Sequence, residues 1–222
     1  MRDISVFDVI GPNMIGPSSS HTAGALRIAR MAQAMVQSKI RSVRFVLYGS
    51  FARTYKGHGT DRALLAGILG YGPEDLRIRN AYTYAEEAGI EYRFDIDTAN
   101  QDAHPNTVEI VITEESGRKL SVVGESIGGG SAVLKRLNGI DIALSGEYQT
   151  LLVEQRDEPG VLAYITACLG EEQINIAFLR MYRENRGEAA YTVIEVDGEI
   201  SEGVVDKVKQ HPAVGNVTLI QL

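Results

Sequence analysis

Residues 149–170 read QTLLVEQRDEPGVLAYITACLG, and the change of period inside this stretch decides the fold of the last third of the chain. Gln149 to Gln155 is a short run with an apolar middle, which predicts a strand. Arg156 to Gly160 is a loop, with Pro159 or Gly160 opening a helix. Val161 to Leu169 predicts that helix, and Gly170 ends it. Working outward, Ile174 to Tyr182 predicts a strand, Asn185-Arg186-Gly187 a turn, and Ala189 to Val196 the partner strand. Asp197-Gly198 leads to a polar helix from Glu202 to Gln210, broken by His211-Pro212, and Val217 to Ile220 is the last strand. The order is βαββαβ in about 74 residues, the ferredoxin-like plan.

Upstream, the pattern is mixed. Ala23 to Gln37 predicts a helix with Leu26, Ala29, Gln33 and Val36 on one face and Ala25, Ala32 and Met35 beside it, a stripe of mostly small residues. Val43 to Tyr48 predicts a strand, Gly49-Ser50 a loop, and Asp61 to Leu69 a helix capped by Thr60 and stopped at Gly70-Tyr71-Gly72-Pro73. Arg93 to Ile96 reads as a short strand. Thr107 to Thr113 alternates apolar and polar, and a turn at Ser116-Gly117 returns it through Leu120 to Val123. Strands and helices mix without regular βα alternation, so the class is α+β rather than a doubly wound sheet.

Charge marks the boundary between the two parts. The chain has 222 residues and a formal charge of −7. Residues 1–147 carry 16 Lys and Arg against 17 Asp and Glu, and residues 148–222 carry 6 against 12. A break near 147 follows, giving domains 1–147 and 148–222. With 44% apolar and 23% charged residues the composition is globular, and the acidic balance excludes a general nucleic-acid binder. No run of about 18 apolar residues occurs, and Met1 to Asp8 is acidic where a signal peptide is basic, so a cytoplasmic setting is expected. The one cysteine, Cys168, cannot form an internal disulfide or supply a multi-thiolate metal site. No metal ligands are expected on this chain.

Four motifs carry possible chemistry. Gly16-Pro17-Ser18-Ser19-Ser20-His21-Thr22-Ala23-Gly24 stands directly before a helix. Unpaired N–H groups and hydroxyls gather there, which suits an anion such as a carboxylate or phosphate. Capping alone would need one of these serines, not three and a histidine. The second is Tyr55-Lys56-Gly57-His58-Gly59-Thr60-Asp61, again at a helix start, where two glycines let the backbone approach a ligand and His58 can move a proton near neutral pH. Its Lys-Gly order does not fit a phosphate-binding P-loop. The third, His104-Pro105-Asn106, either aims an imidazole or simply starts a strand. The fourth, Ser126-Ile127-Gly128-Gly129-Gly130-Ser131, is either an anion nest or a flexible turn. No Gly-x-Ser-x-Gly elbow supports a serine hydrolase.

These motifs, in this order over residues 5–135 and with Leu47-Tyr48-Gly49-Ser50 between the first two, resemble the β chain of iron–sulfur-dependent L-serine dehydratases. That fold is similar to the allosteric substrate-binding domain of some D-3-phosphoglycerate dehydrogenases. Tyr55 stands where the family pattern has glycine. Residues 150–222, with Asp157-Glu158-Pro159-Gly160-Val161-Leu162 and Ile174-Asn175-Ile176, resemble an ACT domain. The resemblance implies conversion of L-serine to pyruvate and ammonia with a [4Fe–4S] cluster. Such a cluster takes about three or four thiolates, so with Cys168 alone here it implies a cluster held by an α subunit. It further implies His21 and His58 as catalytic residues and Ser18, Ser19, Ser20, Thr22, Gly57, Gly59, Thr60 and His104 as substrate-binding ones. Asp157, Gly160, Val161, Leu162 and Asn175 match an effector site, unless the ACT part only pairs β chains. The competing expectation is a stand-alone amino-acid-binding regulator that catalyses nothing and needs no cysteine-bearing partner.

Overall fold

The computed structural model describes residues 13–99 and 103–221. The acidic opening Met1–Asp8 lies outside them. The chain forms two compact units, 1–139 and 140–222, so the second begins at the turn Asn138-Gly139, upstream of the charge break near 147.

In the first unit a wide, π-type turn, Ser19–Gly24, runs into helix α1 (Ala25–Ala34). Strand β1 (Ile40–Tyr48) passes without a loop into α2 (Gly49–Thr54), and α3 (Thr60–Ile68) follows. A 3-10 turn (Leu76–Asn80), α4 (Ala81–Glu87) and β2 (Glu91–Asp97) lead to the hairpin strands β3 (Thr107–Glu114), β4 (Lys119–Gly128) and β5 (Ser131–Leu137). The strand order of these five is β2-β1-β3-β4-β5. β2 lies parallel to β1, while β3, β4 and β5 follow antiparallel.

Alternation in β1 and β3 turns Phe45, Leu47, Ile110 and Ile112 onto one sheet face, where they are wholly buried with Leu26, Ile28 and Met31 of α1. Each such side chain contributes about 1.5–3 kcal/mol of apolar burial. The buried stripe of α1 is wider than its sequence predicts, and Gln33 and Val36 sit at its half-buried margin. The cause is a second neighbour: α1 packs on α3 as well as on the sheet. A Cβ on Gly67 of α3 would lie 2.5 Å from the Leu26 carbonyl and 2.6 Å from Ala29 Cβ, so the small residues set the closeness of the two helices.

Two local expectations are corrected. Gly49-Ser50 is the start of a helix, not a loop. The cap of α3 is Gly59, with φ +69°, and Thr60 is its first helical residue, fully buried. The three glycines Gly128 to Gly130 all take positive φ and turn β4 back into β5. Tyr55 has φ −53°, an ordinary helical value, so the loop does not need the glycine of the family pattern there.

The second unit opens with β6 (Ile140–Leu144) and then follows the predicted order: β7 (Gln149–Arg156), α5 (Val161–Glu171), β8 (Ile176–Arg183), β9 (Ala189–Val196), α6 (Glu202–Lys209) and β10 (Val214–Ile220). The antiparallel sheet is β10-β7-β9-β8. Leu151, Val153, Ile194 and Val196 face Ile165, Cys168, Leu169, Val204 and Val208 of the two helices in one apolar core. Among the described residues no helix is long and apolar enough to cross a membrane.

Candidate functional site

The first unit brings two of its histidines face to edge. The construction starts at the end of β1, where Gly49 has φ +52°. A Cβ there would lie 2.7 Å from both the Cα and the carbonyl oxygen of Pro105, so any side chain would force one of the two backbones to move. That closeness lets Pro105 O accept from the backbone N–H of Ser50 at 2.6 Å and of Phe51 at 3.2 Å. Ser50 is thereby fixed, and its Oγ lies 2.9 Å from His21 Nε2.

His21 enters from the π-type turn. Ser18 caps that turn: its Oγ accepts from His21 N at 3.2 Å and lies 3.4 Å from His21 Nδ1. Both ring nitrogens of His21 therefore face a hydroxyl. Thr22 donates through Oγ1 to the carbonyl of His58 at 3.2 Å, tying the second glycine-rich loop to the first. The imidazoles of His21 and His58 meet with centroids 4.7 Å apart at 81°, and Phe51 closes the other side at 5.3 Å. Burial, and then the neighbouring His58, hold the His21 pKa below the ordinary imidazole value. His21 is thus neutral at physiological pH and able to take or give a proton.

Some polar groups at this end have no partner. The Ser19 and Ser20 hydroxyls, half-buried at the start of the turn, make no hydrogen bond among the described residues. His58 Nδ1 is shielded from solvent and likewise unpartnered. His58, Gly57, Gly59 and Thr22 line a cavity of about 330 Å³ with Ile15, Gly16, Pro17, Lys56, Arg62, Ile78 and Arg79. Thr60 is excluded from it by complete burial, and its Oγ1 has no partner among the described residues. His104 is drawn into its own turn: its Nδ1 accepts from Asn106 N at 3.3 Å and its carbonyl accepts from Thr107 Oγ1 at 2.7 Å. It makes no hydrogen bond or ring contact with His21 or His58.

In the second unit two of the five expected effector residues, Asp157 and Asn175, are held by intramolecular partners. Asp157 accepts from Gly187 N at 3.1 Å and pairs with Arg183, and these contacts, the backbone bond first, hold its carboxyl below the usual range. Asn175 donates to Asp197 Oδ2 at 2.6 Å. Gly160 has φ +93° and heads α5 without a side-chain cap, Val161 is buried behind it, and Leu162 is half-buried.

Comparison with known proteins places this geometry. Residues 5–99 match the family model described as serine dehydratase beta chain. Residues 151–215 match an acetohydroxyacid-synthase-small-subunit-like ACT domain. The chain is 42% identical over 204 residues to "L-serine dehydratase, beta chain" of Peptoniphilus asaccharolyticus, covering 92% of each chain. It is 42% identical over 220 residues to "Probable L-serine dehydratase, beta chain" of Bacillus subtilis, covering 99% of each. The chain belongs to the serine dehydratase β-chain family. A more distant relative, a D-3-phosphoglycerate dehydrogenase of Methanocaldococcus jannaschii, is 23% identical over 88% of this chain and 36% of its own length.

Within this β chain, His21, His58, Ser18 and Thr22 are brought into contact, Ser19, Ser20, Gly57 and Gly59 stand beside them, and Thr60 and His104 do not reach them. Ser50 and Phe51 join the site without having been singled out as site residues; the only sign of them was a Gly-Ser pair at the end of an apolar strand. The donor set does not fit an iron–sulfur cluster. Cys168 is buried in the apolar core of the second unit, and among the described residues no group of three or more His, Cys, Asp or Glu is placed to hold a metal.

Proposed function

We propose that this chain is the β subunit of an L-serine dehydratase, converting L-serine to pyruvate and ammonia only together with an α subunit. The reaction removes the α-proton and the β-hydroxyl of serine, and the enamine formed then tautomerises and hydrolyses to the two products. The observation that carries this reading is the neutral His21, held between two hydroxyls and against His58, beside uncommitted serine hydroxyls at a helix start.

Ser19, Ser20 and the N–H groups of the turn hold the substrate carboxylate. Ser18 and Thr22 are committed to His21 and His58, and act by positioning them. His21 or His58 orients the substrate or carries a proton. A [4Fe–4S] cluster in this reading is ligated by the α subunit, since this chain lacks the thiolates. The ACT unit serves regulation or pairs β chains through its edge strands, β8 and β10. A cytoplasmic location accords with a lone, buried thiol.

The test is anaerobic co-purification with a cysteine-bearing partner, followed by pyruvate formation from L-serine. Turnover is expected only from the pair. Undiminished turnover by both His21→Ala and His58→Ala, or turnover by this chain alone, would sink the reading.

A further inference from the structure

Two of the four motifs are unused by the proposed reaction, and they meet beneath the His21 turn. Strand β4 ends its regular pairing at Ser126, where the register shifts before Gly128. The Ser126 backbone N–H donates to the Asn106 carbonyl at 3.0 Å. Asn106 follows Pro105, whose carbonyl fixes Ser50 and Phe51. The Ser126 side chain is wholly buried on the core face of β4, and its Oγ has no hydrogen-bond partner among the described residues. It stands against Gly24, the last residue of the turn: a Cβ on Gly24 would lie 2.0 Å from Ser126 Oγ and 2.7 Å from Ser126 Cβ. The hydroxyl could swing aside, but the Cβ could not without moving a backbone. Gly24 has φ −65° and ψ −42°, an ordinary helical conformation in which alanine is the better helix former. Backbone freedom therefore does not call for glycine here; the approach of Ser126 does.

One helical turn further on, the contact is reversed. Ile28 of α1 packs against Gly124 of β4, where a Cβ would lie 2.4 Å from Ile28 Cγ2. Four helical residues rise about 6 Å and two strand residues about 6.6 Å, so the two contacts stay in step along both elements. Ser126 of the strand fills the gap at Gly24, and Ile28 of the helix fills the gap at Gly124. Two opposed contacts of this kind resist sliding in both directions. We infer that Ser126 is a positioning residue for His21, setting, through Gly24 and with the Ile28–Gly124 contact, where the turn lies along β4. Its backbone also leads through Asn106 and Pro105 to Ser50, so both partners of the His21–Ser50 contact are placed from the same point of the sheet. That contact is 2.9 Å long. A slip of about 0.6 Å would stretch it to about 3.5 Å, the edge of hydrogen bonding. The bearing of Ser126 on turnover rests on the dehydratase reading; the placement of His21 does not.

The test is an NMR pH titration of the His21 imidazole in the full chain, assigned with His21→Gln and referenced to His211 of the second unit, alongside pyruvate assays of the reconstituted α–β pair. Gly24→Ala should shift the His21 ring resonances, move its titration midpoint, leave His211 unmoved and lower turnover about tenfold, the low end of losing a well-placed proton carrier. Ser126→Gly opens the space that the new methyl group needs. The double variant Gly24→Ala/Ser126→Gly should therefore restore the His21 resonances and recover most of the lost turnover, a coupling expected only of residues in contact. Ser126→Thr enlarges the strand's side of the same contact and should act like Gly24→Ala. If Gly24→Ala alone does not fold, the double variant decides: folding with wild-type His21 resonances would support the inference, and failure to fold would overturn it. Unmoved His21 resonances in either folded single variant, or a double variant no closer to the wild type than Gly24→Ala, would overturn it too. Moved resonances with undiminished turnover would instead sink the catalytic role of His21 and leave its placement by Ser126 standing.

Discussion

The two units treat their polar groups in opposite ways. At the His21 end, Ser19, Ser20 and His58 Nδ1 lack partners among the described residues, and three cations line one cavity. At the Asp157 end, the carboxylate already accepts from Gly187 and Arg183, and the Asn175 amide is held by Asp197. A ligand of the first unit meets groups that burial has left wanting a partner, so each new hydrogen bond is nearly all gain. A ligand of the second must first displace an ion pair or use the open helix start at Gly160. The largest expected effects therefore lie in the first unit. His21→Ala or His58→Ala in the α–β pair should lower turnover about 10²–10⁴-fold, the usual loss when a positioned proton carrier is removed. Asp157→Ala should leave the basal turnover within about threefold, because its partners Gly187 and Arg183 belong to the second unit and none of the three is assigned to the reaction. Steady-state pyruvate assays compare the two directly, and equal losses would abolish the contrast.

Glycine sharpens it. Gly49 and Gly160 both have positive φ, but only Gly49 faces an obstacle. A Cβ on Gly49 meets the Pro105 backbone at 2.7 Å, whereas one on Gly160 meets nothing within 4 Å. Gly160→Ala should cost about 1 kcal/mol, the left-handed penalty alone. Gly49→Ala adds a backbone clash, and about 3 kcal/mol is expected for strain plus displacement. Urea unfolding of the two variants measures both. Gly49→Ala should also lower turnover, since it moves Ser50 away from His21, and Gly160→Ala should not.

How far this was legible from the residues differs between the units for a physical reason. In the second unit each element announces itself by local period and punctuation, and the ladder Ala189–Val196 and the break at His211-Pro212 follow from neighbours in sequence. In the first unit the two histidine motifs were visible because their glycines and hydroxyls are dense. Their meeting was not, since it depends on Pro105 accepting from Ser50 and Phe51 across more than fifty residues. The helix after Gly49 was missed because Gly-Ser signals a turn locally, and the Pro105 carbonyl overrides that signal. Arg62 and Arg79 drew no attention because an exposed arginine in sequence looks like any solvated cation. The strand Ile140–Leu144 was missed because it is short and interrupted by Asp141.

Ser50→Ala tests the positioning role at a smaller scale. The hydroxyl contacts His21 Nε2 without reaching a place assigned to substrate. Its loss should lower turnover about tenfold, in the range of one hydrogen bond to a catalytic imidazole, and shift the acid limb of the pH–rate profile. Ser50→Thr keeps a hydroxyl and should restore part of both. A fall in turnover with an unmoved pH limb would mean that Ser50 only supports the helix start.

The smallest effect is in stability against pH, and it separates the units once more. The folded state holds His21 below the ordinary value near 6.5, by burial first and His58 second. Between the lowered value and 6.5 the unfolded chain binds more protons than the folded one. Stability of the first unit therefore falls as pH drops below about 6.5, and the loss is complete once the lowered value is passed. Asp157 titrates the other way round in cause but not in sign. Its carboxyl is depressed below 3.8 by Gly187 and Arg183, so its contribution is full above that value and is lost only in stronger acid. Urea midpoints measured from pH 7 to pH 5 should decline in the wild type and decline less in His21→Gln. The same titration of Asp157→Asn should track the wild type down to pH 5 and part from it only below about pH 4, where the unfolded chain's carboxyl takes up a proton that the folded one still refuses.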